Sequence, residues 1–246
     1  MQDARTSALF VRFLPSSHRL VALFLTLFAA KALWSQSSSS VVDAKPEIED
    51  AKFINQKRIF GIIPNYRTAP YPNPYVPIPA REKFKLASQD SFDRGTVVLA
   101  AAFAGEAQLT NANRSFGQGA AGYGRYLGTS YADFVIGDYM TEAIYPSVLH
   151  QDPRYFRKGQ GGVGSRLWYA VGQIVITHGD NGRTQLNASE LLGNATAVAV
   201  SNAYYADNRD ASDASIKWAT QLSVDAAANI LKEFSPDILR KFSRKH

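Results

Sequence analysis

Residues 122–146 read GYGRYLGTSYADFVIGDYMTEAIYP and decide the fold class. The stretch predicts one long helix that ends at Tyr145, because Pro146 lacks the N–H that a helix interior requires. Small side chains recur along it at every fourth position, and residues four apart lie on one helix face. The recurring positions are Ala120, Gly124, Gly128 and Ala132. This spacing predicts a seam at which another helix backbone approaches closely.

Helical spacing continues on both sides of this stretch, from Ala80 towards the C-terminus. Further helices are predicted at residues 80–90, 93–109, 162–177, 187–205 and 212–234, with a short last helix that has Ser235 as its cap and Pro236 as its first residue. Asp93 and Asn187 are expected to cap two of them. Two more seams are predicted, at Gly193, Ala197 and Ser201 and at Ala219, Ser223 and Ala227. We therefore expect an all-α fold, a compact bundle of about six to seven helices with small-residue packing seams over residues 80–246.

Acidic residues interrupt the apolar pattern of these helices. They are Asp133, Asp138, Glu142, Glu190 and Asp225. Any of them that faces the interior must be paired, because a buried charge without a partner is strongly unfavourable. The side chains available to share such a network are Asn194, Asn202 and Asn229. The network is expected to serve either as an active site or as a device that fixes the register of the helices.

The segments before the bundle predict export, a tether and a strap. Residues 1–36 combine basic residues, an apolar run of 11 residues at 20–30 and the small-residue site Ala30-Lys31-Ala32, which is the order of a secretory signal peptide. The alternative, a membrane anchor, needs about 20 apolar residues, and Lys31 interrupts this run too early. Residues 37–57 are predicted to be a flexible polar linker. Residues 58–79 alternate proline with tyrosine and aliphatic residues and are predicted to form an extended strap.

Composition narrows the classes of protein and partner. The 246 residues contain 27 Lys and Arg, 21 Asp and Glu and no cysteine, which excludes disulfide scaffolds and thiolate chemistry. Removing residues 1–32 lowers the net charge from +6 to +3. We therefore expect no nucleic-acid partner. The longest uncharged apolar stretch of the mature chain, residues 95–105, is too short to span a membrane. We therefore expect a protein of the periplasm or cell envelope that contacts a membrane, or another envelope component, only peripherally.

Candidate catalytic side chains concentrate in residues 150–157, HQDPRYFR, which follow Glu142. The candidates are Glu142, His150, Asp152, Arg154 and Arg157. Such a set can perform acid/base chemistry, but the spacing of His150 and Asp152 is not a zinc pattern, and no metal is predicted. In the alternative, structural interpretation, Asp152 caps a turn and both arginines pair with helix carboxylates.

Two glycine-rich loops, residues 117–122 and 159–164, share the pattern G-Q-G-x-x-G and each precedes a predicted helix. The residues before them are polar, whereas a dinucleotide site requires a buried strand there, so no cofactor is predicted. The candidate anion-binding residues are Gly159, Gly161, Gly164 and Arg166, because amide groups at a helix N-terminus attract anions. The alternative is a glycine turn whose basic residues are merely solvated.

The chain resembles a group of uncharacterised exported bacterial proteins. The resemblance rests on residues 60–65, 84–93, 131–133, 150–157 and 192–194 and covers about residues 58–240. It implies one domain over that span and implies no activity. We expect an exported cell-envelope helical protein with a structural or binding role. The alternative is a hydrolase or anion-binding enzyme that uses residues 150–157, which would require His150, Glu142 and the arginines to converge on a concave pocket.

Overall fold

The computed structural model describes residues 54, 56–71, 74–207 and 209–243. The predicted signal peptide and nearly all of the predicted linker lie outside these residues. Six helices dominate the described part: α1 (Ala80–Ser91), α2 (Arg94–Leu109), α3 (Gly119–Asp138), α4 (Val163–Gly172), α5 (Ala188–Ser201) and α6 (Ala211–Ser243). The predicted, mostly helical bundle is confirmed.

In the same described residues, six short strands form three pairs, of which one joins segments that are distant in the chain. They are β1 (Arg58–Ile59), β2 (Ile63–Pro64), β3 (Thr68–Pro70), β4 (Tyr155–Arg157), β5 (Ile176–His178) and β6 (Thr184–Leu186). The pairs β1–β2 and β5–β6 are antiparallel hairpins, whereas β3 and β4 pair in parallel. The β3–β4 pair therefore fastens the segment before the bundle to residues 155–157.

The predicted N-caps are present. The Asp93 carboxylate accepts from the Gly95 amide at 2.6 Å, and the Asn187 side chain accepts from the Glu190 amide at 3.2 Å. Each satisfies an amide that has no partner within its helix.

Neither of two prolines marks the helix boundary that the sequence predicts. Helix α3 continues through a π-helical segment, Tyr139–Ile144, into Tyr145–Val148, and Pro146 closely follows the π-helical turn, a wider turn of a kind that occurs inside α-helices. Pro236 lies inside α6 instead of starting a seventh helix. A proline disturbs carbonyl bonding in the preceding turn, and there the Glu233 carbonyl accepts from Arg157 Nε at 2.9 Å and Arg166 Nη2 at 2.7 Å.

The predicted seams differ in their surroundings. Gly193, Ala197 and Ser201 are buried, and a Cβ at Gly193 would lie 2.9 Å from Thr141 Cγ2. The α3 seam prediction is wrong, because its Ala120, Gly124 and Gly128 are exposed. Helix α3 instead turns the aromatic face that carries Tyr126 inward, where Tyr126 packs with Ala104, Phe116 and Tyr205. On α6, Ala219 is exposed, so that seam is not fully enclosed either.

Two glycine substitutions test this assignment. Gly193→Ala is expected to lower the free energy of unfolding by about 1–3 kcal/mol, since the new methyl group would press on Thr141 and on the Met140 carbonyl carbon, 3.1 Å away. Gly128→Ala meets no atom within 4 Å and is expected to be neutral or to stabilise by up to about 1 kcal/mol through helix propensity. Urea denaturation of both variants measures the difference. Equal destabilisation by both would show that the α3 seam is enclosed after all.

Candidate functional site

Charged side chains occupy the centre of the bundle. This buried charge cluster consists of Arg67, Asp90, Asp138, Glu142, Glu190, Asp225 and Lys232. Glu142 exposes 1%, Lys232 5% and Asp90 7% of its surface. Charged residues are almost never buried so completely unless they are paired. The cluster is therefore the most unusual chemical feature of the described residues.

Arg67 links the cluster to the first part of the chain. Its Nε lies 2.8 Å from Glu142 Oε1 and 3.3 Å from Asp90 Oδ2. The Arg67 carbonyl accepts from the Tyr155 amide at 2.9 Å, beside the β3–β4 pair. The parallel strand pair thus holds the guanidinium group between α1 and the π-helical segment.

Polar side chains bind the remaining carboxylates. Asn194 Nδ2 donates to Glu190 Oε1 and to Asp225 Oδ2, both at 3.1 Å, so this asparagine joins α5 to α6. Ser91 Oγ donates to Asp138 Oδ2 at 3.0 Å and joins α1 to α3. The network therefore fastens helices that are far apart in sequence.

Burial changes the pKa of these groups in the expected directions. It raises the pKa of Asp138 to about 8 and raises the pKa values of Glu142 and Glu190 well above the ordinary value for glutamate. Burial also lowers the pKa of Lys232 to about 8. Both directions follow from the cost of a charge in a low-dielectric interior.

Charge balance indicates where protons are held. Asp90 Oδ1 and Glu142 Oε2 are buried without a hydrogen-bond donor among the described residues, and one shared proton would satisfy both carboxyl groups. Glu190 and Asp225 also approach each other closely. With one proton in each pair and a neutral Asp138, two negative charges remain. Arg67 and Lys232 neutralise them.

The predicted catalytic residues do not assemble around one point. Glu142 belongs to the buried charge cluster, whereas His150 is 83% exposed and its Nδ1 lies 3.8 Å from Asp180 Oδ2. The Asp180 carboxylate is itself held by buried Lys83, whose Nζ lies 2.8 Å from both carboxylate oxygens.

Asp152 and Arg154 do meet, and they bind the predicted strap. Asp152 Oδ2 accepts from the Tyr75 hydroxyl at 2.7 Å and from Arg154 Nη2 at 2.6 Å. Arg154 Nη2 also donates to the Val76 carbonyl at 2.7 Å. These contacts connect residues 75–76 to the segment before β4.

The predicted anion-binding loop holds a carboxylate from the protein itself. Glu233, which is fully buried, accepts at Oε1 from the Gly159 amide (2.9 Å) and Arg166 Nε (2.7 Å). Its Oε2 accepts from the Tyr155 hydroxyl at 2.8 Å and the Lys158 amide at 3.0 Å. Among the described residues, no hydrogen bond joins Gly161 or Gly164 to this carboxylate.

A small cleft opens beside Asp152 and Arg154, and Arg67 and Glu190 also line it. Its volume is about 30 Å³, which is room for about two water molecules. The cleft connects the strap contacts with the edge of the buried charge cluster.

In residues 54, 56–71, 74–207 and 209–243, no group of three or more His, Asp and Glu side chains has the geometry to hold a metal ion. No helix in the same residues combines the length and apolarity needed to cross a bilayer. Comparisons with protein-family models, curated proteins and solved structures find no match.

Proposed function

We propose that the chain is an exported cell-envelope protein that acts by binding or as a structural component rather than by catalysis. The observation that carries the proposal is the use of residues 150–157 as a fastening. Asp152 and Arg154 bind Tyr75 and Val76, and the Arg157 side chain donates to the Glu233 carbonyl. Polar groups engaged in this way hold the chain together and are not poised for a substrate.

The enzyme alternative requires a convergence that the geometry does not favour. Glu142 pairs with Arg67 in the interior, whereas His150 faces solvent. The cleft beside Asp152 has room for about two water molecules. An acid/base pair needs its groups within hydrogen-bond reach of one reacting atom.

The surface supports a binding role. Large apolar side chains are exposed at several places, among them Leu109 (88%), Trp168 (78%), Val148 (68%) and Phe92 (66%). Single exposed apolar residues are ordinary, but groups of them mark contact with another component. A peripheral contact within the envelope accounts for such groups.

Truncating the fastening tests the proposal. Asp152→Ala would leave the Tyr75 hydroxyl and Arg154 without their carboxylate partner, which is expected to lower the free energy of unfolding by about 1–3 kcal/mol. Arg154→Ala is expected to act similarly, since Asp152 is buried. For a domain of about 190 residues, each is expected to lower the melting temperature by several degrees. Thermal scanning measures the shift.

His150→Ala is the matched control, because that side chain is 83% exposed, and it is expected to change the melting temperature by less than about 1 °C. If Asp152→Ala and Arg154→Ala melt like the parent, the fastening role is wrong. The segment would then be free for a ligand or substrate, as the enzyme alternative requires.

Export has its own test. The apolar run at residues 20–30 and Ala30-Lys31-Ala32 predict cleavage between residues 32 and 36. N-terminal sequencing of the protein recovered from the envelope of a producing bacterium is expected to start within or just after this range. A recovered chain that still begins at Met1 would contradict cleavage.

A further inference from the structure

Five large apolar side chains are exposed around the beginning of α2. This group, the apolar tip, comprises Phe92 (66%), Val98 (53%), Ile62 (47%), Val97 (46%) and Phe60 (42%). Phe60 and Ile62 come from the loop between β1 and β2, Phe92 lies at the end of α1, and both valines belong to the first turns of α2. The Ile62 carbonyl approaches the first turn of α2 at Gly95, and Phe92 directly precedes that turn, so the β1–β2 loop and the start of α2 lie side by side.

The surface is held in place by Asp93. Its carboxylate accepts from Arg58 Nε at 2.7 Å, the Tyr66 hydroxyl at 2.7 Å and the Gly95 amide at 2.6 Å. The β1–β2 loop approaches α2 so closely that a Cβ at Gly95 would lie 1.7 Å from the Ile62 carbonyl oxygen. The apolar tip is therefore preformed.

The loop conformation keeps Phe60 on the outside. Phe60 has φ 51° and Gly61 has φ 74°. The Ile62 amide donates to the Ile59 carbonyl at 3.1 Å, so these two residues are the central pair of a type I′ hairpin turn, which requires positive φ at both positions. At the tip of this turn, Phe60 exposes 42% of its surface.

The exposed charges on the segments that form the apolar tip are positive. Lys57 and Arg94 are exposed, and neither forms an ion pair with another described residue. The acidic residues of segments 56–66 and 90–98 are Asp90 and Asp93, and both are buried and paired with arginine. A basic rim around aromatic and aliphatic side chains fits anionic lipid headgroups above an apolar layer.

A second copy of the chain fits this surface less well, because a symmetric dimer would bring the two basic rims together.

We propose that the apolar tip, with Lys57 and Arg94, docks the protein on an anionic membrane surface. The inference deepens the proposed function and rests on it, since it assigns the peripheral contact to named residues. Phe60, Ile62 and Phe92 enter the headgroup boundary while Lys57 and Arg94 lie at headgroup level.

The absence of cysteine from the sequence allows a direct test. Phe92→Cys, labelled with an environment-sensitive fluorophore in the otherwise unchanged chain recovered after export, is mixed with phosphatidylcholine vesicles that contain one quarter phosphatidylglycerol. Label emission is expected to shift to the blue and rise severalfold, and to fall back in high salt because the charges are screened. Vesicles of phosphatidylcholine alone are expected to give a much smaller response.

Leu109→Cys is the matched control. It lies at the other end of α2, about 22 Å away by helix rise, and is 88% exposed. Since both proteins carry the same N-terminal residues, a response at position 92 alone assigns the contact to the apolar tip. Arg94→Glu combined with the Phe92→Cys label is expected to abolish most of the response.

Three results would overturn the proposal: no response at position 92, an equal response at position 109, or a response without vesicles that grows with protein concentration. The last would assign the surface to self-association. None of them bears on the proposed function, which the melting temperatures and N-terminal sequencing test separately. If the chain is cleaved and Asp152→Ala is destabilised but the label at position 92 does not respond to vesicles, only the proposed lipid contact is wrong.

Discussion

Glu233→Ala is expected to lower the melting temperature by roughly 10 °C. Removing one member of a buried ion pair lowers the free energy of unfolding by about 3–5 kcal/mol, and each kcal/mol lowers the melting temperature of a domain of this size by about 2–4 °C. The side chain is fully buried and accepts from two backbone amides, one hydroxyl and one guanidinium group. Alanine would leave all four donors without this acceptor. The amides of Lys158 and Gly159 cannot move away without opening the loop before α4.

The arginine makes the loss larger than that of a neutral hydrogen bond. Arg166 is buried, and its guanidinium carbon lies 4.4 Å from the centre of the Phe234 ring. Without Glu233 it would retain Asp237, whose carboxylate lies 2.7 Å from Nη2 and is about one third exposed. A partly solvated carboxylate compensates less for the lost charge.

Lys85→Ala is the control for this prediction. It breaks the exposed pair with Glu82, where the two side chains are 58% and 39% exposed, and is expected to change stability by less than about 0.5 kcal/mol. Thermal scanning of both variants gives the comparison. A Glu233→Ala protein that melts within 2 °C of the parent would show that the carboxylate is not a structural anion.

Local signals in the sequence predicted the elements that depend on neighbouring residues. Asp93 and Asn187 cap helices because cap and amide lie two or three positions apart. The predictions for Pro236 and Gly128 were wrong, because the structure at both positions depends on distant segments. The Glu233 carbonyl near Pro236 accepts from Arg157 and Arg166, which lie more than 60 residues earlier in the chain. On α3, the aromatic face packs into the interior, and the face that carries Gly128 is exposed.

The same division holds for the candidate site. The sequence indicated that interior carboxylates need partners, and Asn194 does bind Glu190 and Asp225. Arg67, 75 residues before its partner Glu142, carried no signal, because the β3–β4 pairing that positions it is only three residues long on each side. Glu233 was missed for the same reason: its donors lie at least 67 residues earlier in the chain.

The buried charge cluster predicts an unusual dependence of stability on pH. The pKa of Asp138 is about 8 in the folded protein, against about 3.9 in an unfolded chain. Between these values the folded state binds a proton that the unfolded state releases, so the free energy of unfolding decreases as pH rises. The contribution is complete below pH 4 and is lost by about pH 8. Most proteins with ion-paired carboxylates behave in the opposite way in the acid range.

Asp138→Asn isolates this contribution. Asparagine keeps an oxygen that can accept from Ser91 but cannot titrate, so the slope between pH 5 and 8 is expected to become less negative by up to about 1.4 kcal/mol per pH unit, the value for one proton. Glu142 and Glu190, whose pKa values are also raised, preserve part of the decrease. The variant should equal the parent near pH 4 and exceed its stability by several kcal/mol at pH 8.

Urea denaturation at half-unit steps of pH measures both slopes. Lys232, with a pKa lowered to about 8, contributes mainly above this window, and His178, whose pKa burial lowers, contributes equally to both proteins and cancels in the difference. Glu82→Gln, on the exposed surface of α1, serves as the control and is expected to keep the parent slope. If Asp138→Asn also keeps it, Asp138 is ionised in the folded protein. The cluster would then hold more negative charge than Arg67 and Lys232 can neutralise, and the proton count inferred for its two carboxyl pairs would be wrong.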